Sequence, residues 1–330
     1  MYEKFYGLSS KPFQLKPDAR FFYGSKGHKR AMSYLEYGIS QGEGFIVITG
    51  EIGAGKTTLM RNLFLELVTE NIVAAQIVNT HVGSEDILRL VAGAFGIEYE
   101  NLSKATLLRR IEEFLIQIDR QGKRALLVVD EAQNLTPRAL EELRMLSNFQ
   151  TADKCLLQTF LLGQPEFRQV MLSPDMQQLY QRIIASYHLG PLDVVETKSY
   201  IEHRLNTVGW KNSPEINQDA YEAIHEYTGG IPRKINSFCD RMLLMGFLDE
   251  ILIFGEAEIK KVIQDIQQES EVPLTTPIIN TAIAIDNLGD NYSYSSLVDE
   301  RLTRMEKALI SVIGAVKKIV PVTKMNNAQD

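Results

Sequence analysis

With 330 residues, 45% hydrophobic and 23% charged, the chain has the composition of a soluble globular protein long enough for one large or two moderate domains. Thirty-five Lys and Arg against 42 Asp and Glu leave a net charge of −7, which argues against a protein whose main task is to wrap nucleic acid, while a local basic patch stays compatible. Residues 1–6 carry no apolar signal core, no run approaches the ~18 apolar residues of a membrane span, and Cys155 and Cys239 lack Cys or His neighbours at metal spacing, so both read as small buried residues in a reducing cytosol.

Residues 1–30 hold Phe5, Tyr6, Phe13, Phe21, Phe22 and Tyr23, broken by Pro12 and Pro17, and read as an irregular strap lying on a larger domain. A helix follows over residues 29–39, with Ala31, Leu35 and Ile39 on one face. Residues 45–49 are short, β-branched and apolar, as in a buried parallel strand. They lead into Gly50-Glu51-Ile52-Gly53-Ala54-Gly55-Lys56-Thr57, which fits the phosphate-binding pattern G-x-x-x-x-G-K-[ST], and a helix follows at once. The glycines let consecutive N–H groups point at one anion, and the helix N-terminus adds its positive dipole end. Lys56 is expected on the β/γ-phosphates, with the Thr57 hydroxyl on Mg²⁺. The strap aromatics are then either core contacts or, at residues 22–25 and His28, the border of an adenine.

Residues 73–78 read as a second buried strand. Ser84 and Ser103 are placed to cap the next two helices, the second carrying Leu107, Leu108, Ile111, Phe114, Leu115 and Ile118. Residues 125–129 form an apolar strand ending in Asp130-Glu131, the Walker B pattern. Asp130 is expected to act through the Mg²⁺ shell and Glu131 to orient and polarise the attacking water. With a further strand between the two motifs, the sheet reads as the NTPase branch that uses an acidic base. Thr136-Pro137 starts another helix. Residues 155–163 are a buried strand ending in Gln164, either a γ-phosphate sensor at the sheet edge or a surface residue in a strand-to-helix turn. Ser173-Pro174 starts a helix carrying Arg182, and residues 187–189 form a short last strand.

From Asp193 helical patterns dominate, over residues 194–208, 218–227, 232–247 and 256–267, with residues 251–254 between the last two. Arg233 falls in the first turn of a helix, where a cation opposes the helix dipole; it is either simply solvated or compensated by an anion such as a nucleotide phosphate.

These motifs in this order, with Leu162-Gly163-Gln164-Pro165-Glu166-Phe167, Gln181-Arg182-Ile183, Gly229-Gly230-Ile231-Pro232-Arg233 and the opening Tyr6-Gly7-Leu8 … Lys11-Pro12-Phe13 … Phe22-Tyr23, resemble the AAA+ ATPases of the general secretion pathway protein A type over residues 1–268. Within that type they are most similar to those of exosortase and exopolysaccharide loci (the PEP-CTERM system). The resemblance implies an α/β P-loop NTPase fold with a five-stranded parallel sheet between helices and a small all-α lid. It implies ATP and Mg²⁺ as cofactors, residues 50–58, Thr58 included, around the nucleotide, and Thr57 and Asp130 at the metal. By the same resemblance Glu131 is the base, Gln164 stands at sensor 1, Arg182 is an arginine finger reaching a neighbouring subunit, and Arg233 is sensor 2.

The expected domains are 1–191, nucleotide-binding with the strap; 192–267, the lid; 268–296, a flexible linker rich in Pro, Ser, Thr and Asn; and 297–324, an amphipathic helix. Val298, Leu302, Met305, Leu309, Val312, Val316 and Ile319 recur at spacings 4-3-4-3-4-3, a seam that packs on the body, forms a coiled coil, or lies on an anionic membrane through its basic end. Three functions stand against one another: an oligomeric ATPase serving envelope secretion or exopolysaccharide export, cytoplasmic or peripheral at the inner membrane; a DNA-associated regulator of the transposition or loader kind; and a nucleotide-gated scaffold with little turnover.

Overall fold

The computed structural model describes residues 1–270 apart from Pro17, 68–70, Asn79, 81–83 and Asp153. The chain divides into a unit of residues 1–272 and one of 273–330. The expected linker, beyond its first three residues, and the heptad helix at 297–324 lie outside the described residues.

The sheet residues alternate between two cores. β1 (Phe45–Gly50), β2 (Ile72–Ile77), β3 (Arg124–Val129), β4 (Leu157–Gly163) and β5 (Ile183–Leu189) form one parallel sheet in the order β2-β3-β4-β1-β5. Phe45, Val47, Leu127, Val129 and Leu161 face one side, and Ile46, Ile48, Leu126, Val128, Phe160 and Leu162 the other. A strand buried on both faces favours apolar sequence: β3 is apolar from Ala125 to Val129, and β1 and β4 are interrupted only by Thr49 and by Gln158 and Thr159. Helices α1 (Lys26–Gln41), α2 (Lys56–Leu67), α3 (Ser84–Ala94), α4 (Lys104–Arg120), α5 (Pro137–Leu146) and α6 (Pro165–Met171) belong to this α/β body. Ser103 caps α4 by accepting from Thr106 N, and Thr136 caps α5 by accepting from Ala139 N, with Pro137 at the first helical position. β4 sits between β1 and β3, so a third strand does separate the two motif strands.

The helical body holds α7 (Val194–Thr207), α8 (Gln218–Thr228), α9 (Pro232–Leu248) and α10 (Glu256–Ser270), with a two-stranded pair of β6 (Glu215–Ile216) and β7 (Ile253–Phe254). α7 opens with a capping box between Asp193 and Glu196.

Four local expectations are corrected. β5 covers seven residues rather than 187–189, because Ile183 to Tyr187 are only partly covered at a sheet edge and lack a continuous apolar signature. Arg182 is not on a helix: a 3₁₀ turn (Pro174–Met176) and one helical turn (Gln177–Tyr180) end before it, and it enters β5. β4 starts at Leu157, and Cys155 is half-buried, bridging to Gln150 with its Sγ 3.9 Å from Glu43 Oε2; Cys239 is buried. The strap does not pack on the sheet: Tyr2, Tyr6, Leu8, Phe13 and Phe21 join the core of the helical body with Tyr200, Tyr221, Phe238 and Phe254.

Polar contacts explain this allegiance. Tyr6 Oη donates to Ile251 O (2.9 Å), and Ser9 N to Val208 O (2.9 Å). Arg204, only 6% exposed, donates from Nε to Pro12 O (2.7 Å), from Nη2 to Gln14 O (3.2 Å) and from Nη1 to Tyr200 Oη (2.9 Å), its guanidinium 4.8 Å from the Phe21 ring centre. A buried guanidinium must fill its donors, and here strap carbonyls do so.

Candidate nucleotide site

The carboxyl ends of β1, β3 and β4 meet at one edge. Thr49 pairs with Gly163, so Gln164 emerges beside Gly50; Val129 pairs with Leu161, so Asp130 and Glu131 emerge next to it. The loop after β1 curls through Gly53 at φ 85° and Gly55 at φ 102°. Neither position tolerates a side chain: a Cβ on Gly53 would collide with Arg233, and one on Gly55 would come 2.6 Å from His28 Nε2. α2 starts at Lys56, so the loop amides and the helix N-terminus face the same space.

Lys56, 6% exposed, donates to Gly50 O (2.6 Å) and Glu51 O (3.1 Å). Its burial lowers its pKa, opposed by the charges of Glu131 and Asp130. Thr57 Oγ1 donates to Asp130 Oδ2 (2.9 Å), and Asp130 Oδ1 accepts from Glu131 N (3.0 Å). Burial raises the Asp130 pKa, with the Thr57 bond working against it. Ala54 is buried, while Ile52, Gly53, Gly55, Thr57, Thr58 and Glu131 line a cleft of about 410 Å³. A hydroxyl and a carboxylate in direct contact suit a hard divalent cation that keeps most of its waters. Among the described residues there is no cluster of three or more His, Cys, Asp or Glu side chains able to cage a metal.

Glu131 has a left-handed backbone, φ 53°, with its carbonyl accepting from Thr80 Oγ1 (2.8 Å). Gln164 Nε2 donates to Glu131 Oε2 (3.3 Å). The structure thus brings Gln164 to Glu131.

Arg233 reaches the loop from the helical body: its backbone N donates to Gly53 O (3.2 Å), and its exposed side chain lines the cleft. Arg182 does not line it. Phe45 N, at the start of β1, donates to Arg182 O, which puts Arg182 at the opposite sheet edge, about 16 Å away by strand rise. Its guanidinium is held by Ser147 Oγ (2.8 Å), Ser147 O (3.2 Å) and Asn148 Oδ1.

The cleft is also lined by Phe21, Phe22, Tyr23, His28, Tyr200 and Asn236. Of these, the sequence reading missed Tyr200 and Asn236, which are joined by a 2.9 Å hydrogen bond; no motif marks them, since α7 and α9 meet only in the fold. Two chain crossings border the cleft, the strap entering α1 and residues 190–193 entering α7. Lys26 N donates to Glu196 Oε1 (2.7 Å), so the cap of α7 also clasps the start of α1.

His28 is buried beside the loop, its Nδ1 2.7 Å from Ser25 Oγ, and burial lowers its pKa to about 4, against the opposing charge of Glu196. Between about pH 6.5 and 4 the unfolded chain binds this proton and the folded one does not, so stability falls as pH falls through that window. We expect His28 to contribute about 1 kcal/mol per pH unit there. Urea unfolding across this range should show a shallower pH slope in His28→Asn than in the wild type; equal slopes would contradict a neutral buried His28.

Residues 39–171 match the family described as AAA domain. General secretion pathway protein A of Aeromonas hydrophila is 41% identical over 248 residues, covering 75% of this chain and 45% of that protein, so the chain spans less than half of its relative's length. Among solved structures, Cdc6p from Pyrobaculum aerophilum is similar at TM-score 0.59 and 17% identity, over 79% of this chain and 74% of that one. The Aeropyrum pernix ORC2 protein, solved as ADPNP–ADP complexes, is similar at TM-score 0.55 and 16% identity, over 76% and 72%. Together with the strand order and the phosphate loop, these likenesses establish the fold of this chain as that of an AAA P-loop NTPase.

Proposed function

We propose that the chain is a Mg²⁺-dependent ATPase of the general secretion pathway protein A type, a nucleotide-driven switch or motor in assembly of an envelope secretion system. The observation that carries this is the convergence on one cleft of the phosphate loop, the Thr57–Asp130 contact, Glu131 and, from the helical body, Arg233. In this reading the loop amides and Lys56 bind the β- and γ-phosphates, Lys56 exchanging its loop carbonyls for phosphate oxygens. Thr57 and Asp130 would hold Mg²⁺, which when bound neutralises charge developing on the phosphates. Glu131 accepts a proton from the attacking water, Gln164 reads the γ-phosphate, and Arg233 ties the helical body to that same phosphate. Loss of the γ-phosphate then frees one body from the other, which converts chemistry into a change of angle.

Arg182 faces away from its own cleft, so its proposed place is the nucleotide of a neighbouring copy, and self-association follows from that. The 41% identity to a secretion protein supports an envelope partner; a role at an exopolysaccharide locus is the finer form of the proposal and rests on the motif resemblance alone. Among the described residues no helix is long and apolar enough to cross a membrane. The likeness to a secretion protein supports a proposed place in the cytoplasm or on the inner membrane's surface, with contact through residues 297–324 as the proposed route. Steady-state phosphate release by the purified chain with Mg²⁺–ATP, compared with Glu131→Gln, tests the reading.

A further inference from the structure

The acidic base is held by a residue outside every motif role assigned above. Gln133 lies in the single 3₁₀ turn Ala132–Asn134 directly after Glu131, anchored by buried Ala132 and Leu135. Because Glu131 takes a left-handed backbone at the start of that turn, the chain doubles back and the Gln133 side chain returns alongside the carboxylate. Its amide is used at both ends. Nε2 donates to Glu131 Oε2 at 2.6 Å, and Oε1 accepts from Gln164 N at 3.0 Å. Gln164 Nε2 donates to the same Oε2 at 3.3 Å. Two amide donors therefore converge on one carboxylate oxygen, and Glu131 Oε1 accepts no hydrogen bond among the described residues.

The geometry points to Gln133 as a positioning residue for hydrolysis, a splint that pins Oε2 to the end of β4 and turns Oε1 to the attacking water. This rests on the reading of Glu131 as the base. The arrangement divides labour between the two glutamines. Gln164, on the longer bond, is the partner that exchanges Glu131 for the γ-phosphate when ATP is bound. Gln133, on the shorter bond and with its carbonyl engaged by the backbone of β4's end, keeps the carboxylate in register while that exchange occurs. Sensor and base are in this way mechanically connected through one side chain. A free carboxylate samples several rotamers, and a general base works only from within hydrogen-bond reach of its proton.

Gln133→Ala removes both ends of the splint. Gln133→Met keeps about the size of the side chain, removes both polar ends and adds no charge beside Glu131. We expect both variants to lose ~10-fold or more in kcat for Mg²⁺–ATP, with KM within about twofold of wild type. A residue that merely fills space would leave Gln133→Met active, and unchanged kcat in both variants would overturn the inference. A second measurement does not need turnover. Thermal melts of wild type, Glu131→Ala, Gln133→Ala and the double variant form a cycle, and the double variant's Tm should depart from the sum of the single shifts by ~2 °C or more. Additive shifts would overturn the tie. A coupled cycle in a chain that hydrolyses no ATP would instead leave the tie standing and sink the hydrolysis reading.

Discussion

Glu131→Gln is expected to bind Mg²⁺–ATP as tightly as the wild type, within about threefold, and to lose ~10²-fold or more in turnover. The side chain's surroundings say why the nearly isosteric change is so costly to rate and so mild to binding. Both amide donors, Gln133 Nε2 and Gln164 Nε2, point at the same oxygen of Glu131. A glutamine at 131 places its own carbonyl oxygen there to satisfy them. Its NH₂ then occupies the Oε1 position, so a donor faces the water where a proton acceptor is required. The phosphate loop, Lys56 and the Thr57–Asp130 contact are untouched, and the cleft keeps its shape. Rapid-quench measurement of bound ATP against product separates the two effects. Turnover within threefold of wild type would remove Glu131 from the chemistry.

Arg182→Ala is expected to lose ~10³-fold in turnover, and to recover part of it when mixed with the impaired Glu131→Gln. The guanidinium sits at the far end of β5 from its own phosphate loop and is occupied by Ser147 and Asn148. Within one chain it therefore has no route to the nucleotide. A subunit lacking Arg182 still has an intact loop and base, and a Glu131→Gln neighbour supplies the arginine. Mixing should thus rebuild working sites between unlike subunits. If Arg182→Ala were fully active, the arginine would be a brace between β5 and the turn at Ser147; if it were inactive and mixing restored nothing, the contribution in trans would be wrong.

The residues proposed to carry the chemistry were legible because their signals are local. The phosphate loop and the acidic pair each lie on one strand-to-turn junction, and parallel pairing brings such junctions to one edge. The caps Ser103 and Thr136 were equally plain, since a cap and its acceptor lie within three residues. What escaped the sequence is non-local. The strap's aromatics announce burial but not against which body, and the deciding contact, Arg204 with the carbonyls of Pro12 and Gln14, joins residues about 190 apart. Tyr200 and Asn236 at the cleft, and the link from Gln133 to Gln164, likewise depend on elements that meet only when folded. β5 was read too short because partly exposed edge residues do not advertise a strand as a buried run does.

In the proposed mechanism one triphosphate is gripped by both bodies at once, by the phosphate loop from the sheet and by Arg233 from the helical side. Calorimetric titration of wild type and Arg233→Ala with Mg²⁺–ATP and Mg²⁺–ADP tests it most directly. The wild type is expected to favour ATP over ADP, and Arg233→Ala to lose ~10-fold in affinity for ATP while holding ADP unchanged, the loss of one charge-assisted contact to the γ-phosphate. Equal affinities of the two proteins for ATP, or no binding of ATP to the wild type at millimolar concentration, would contradict it.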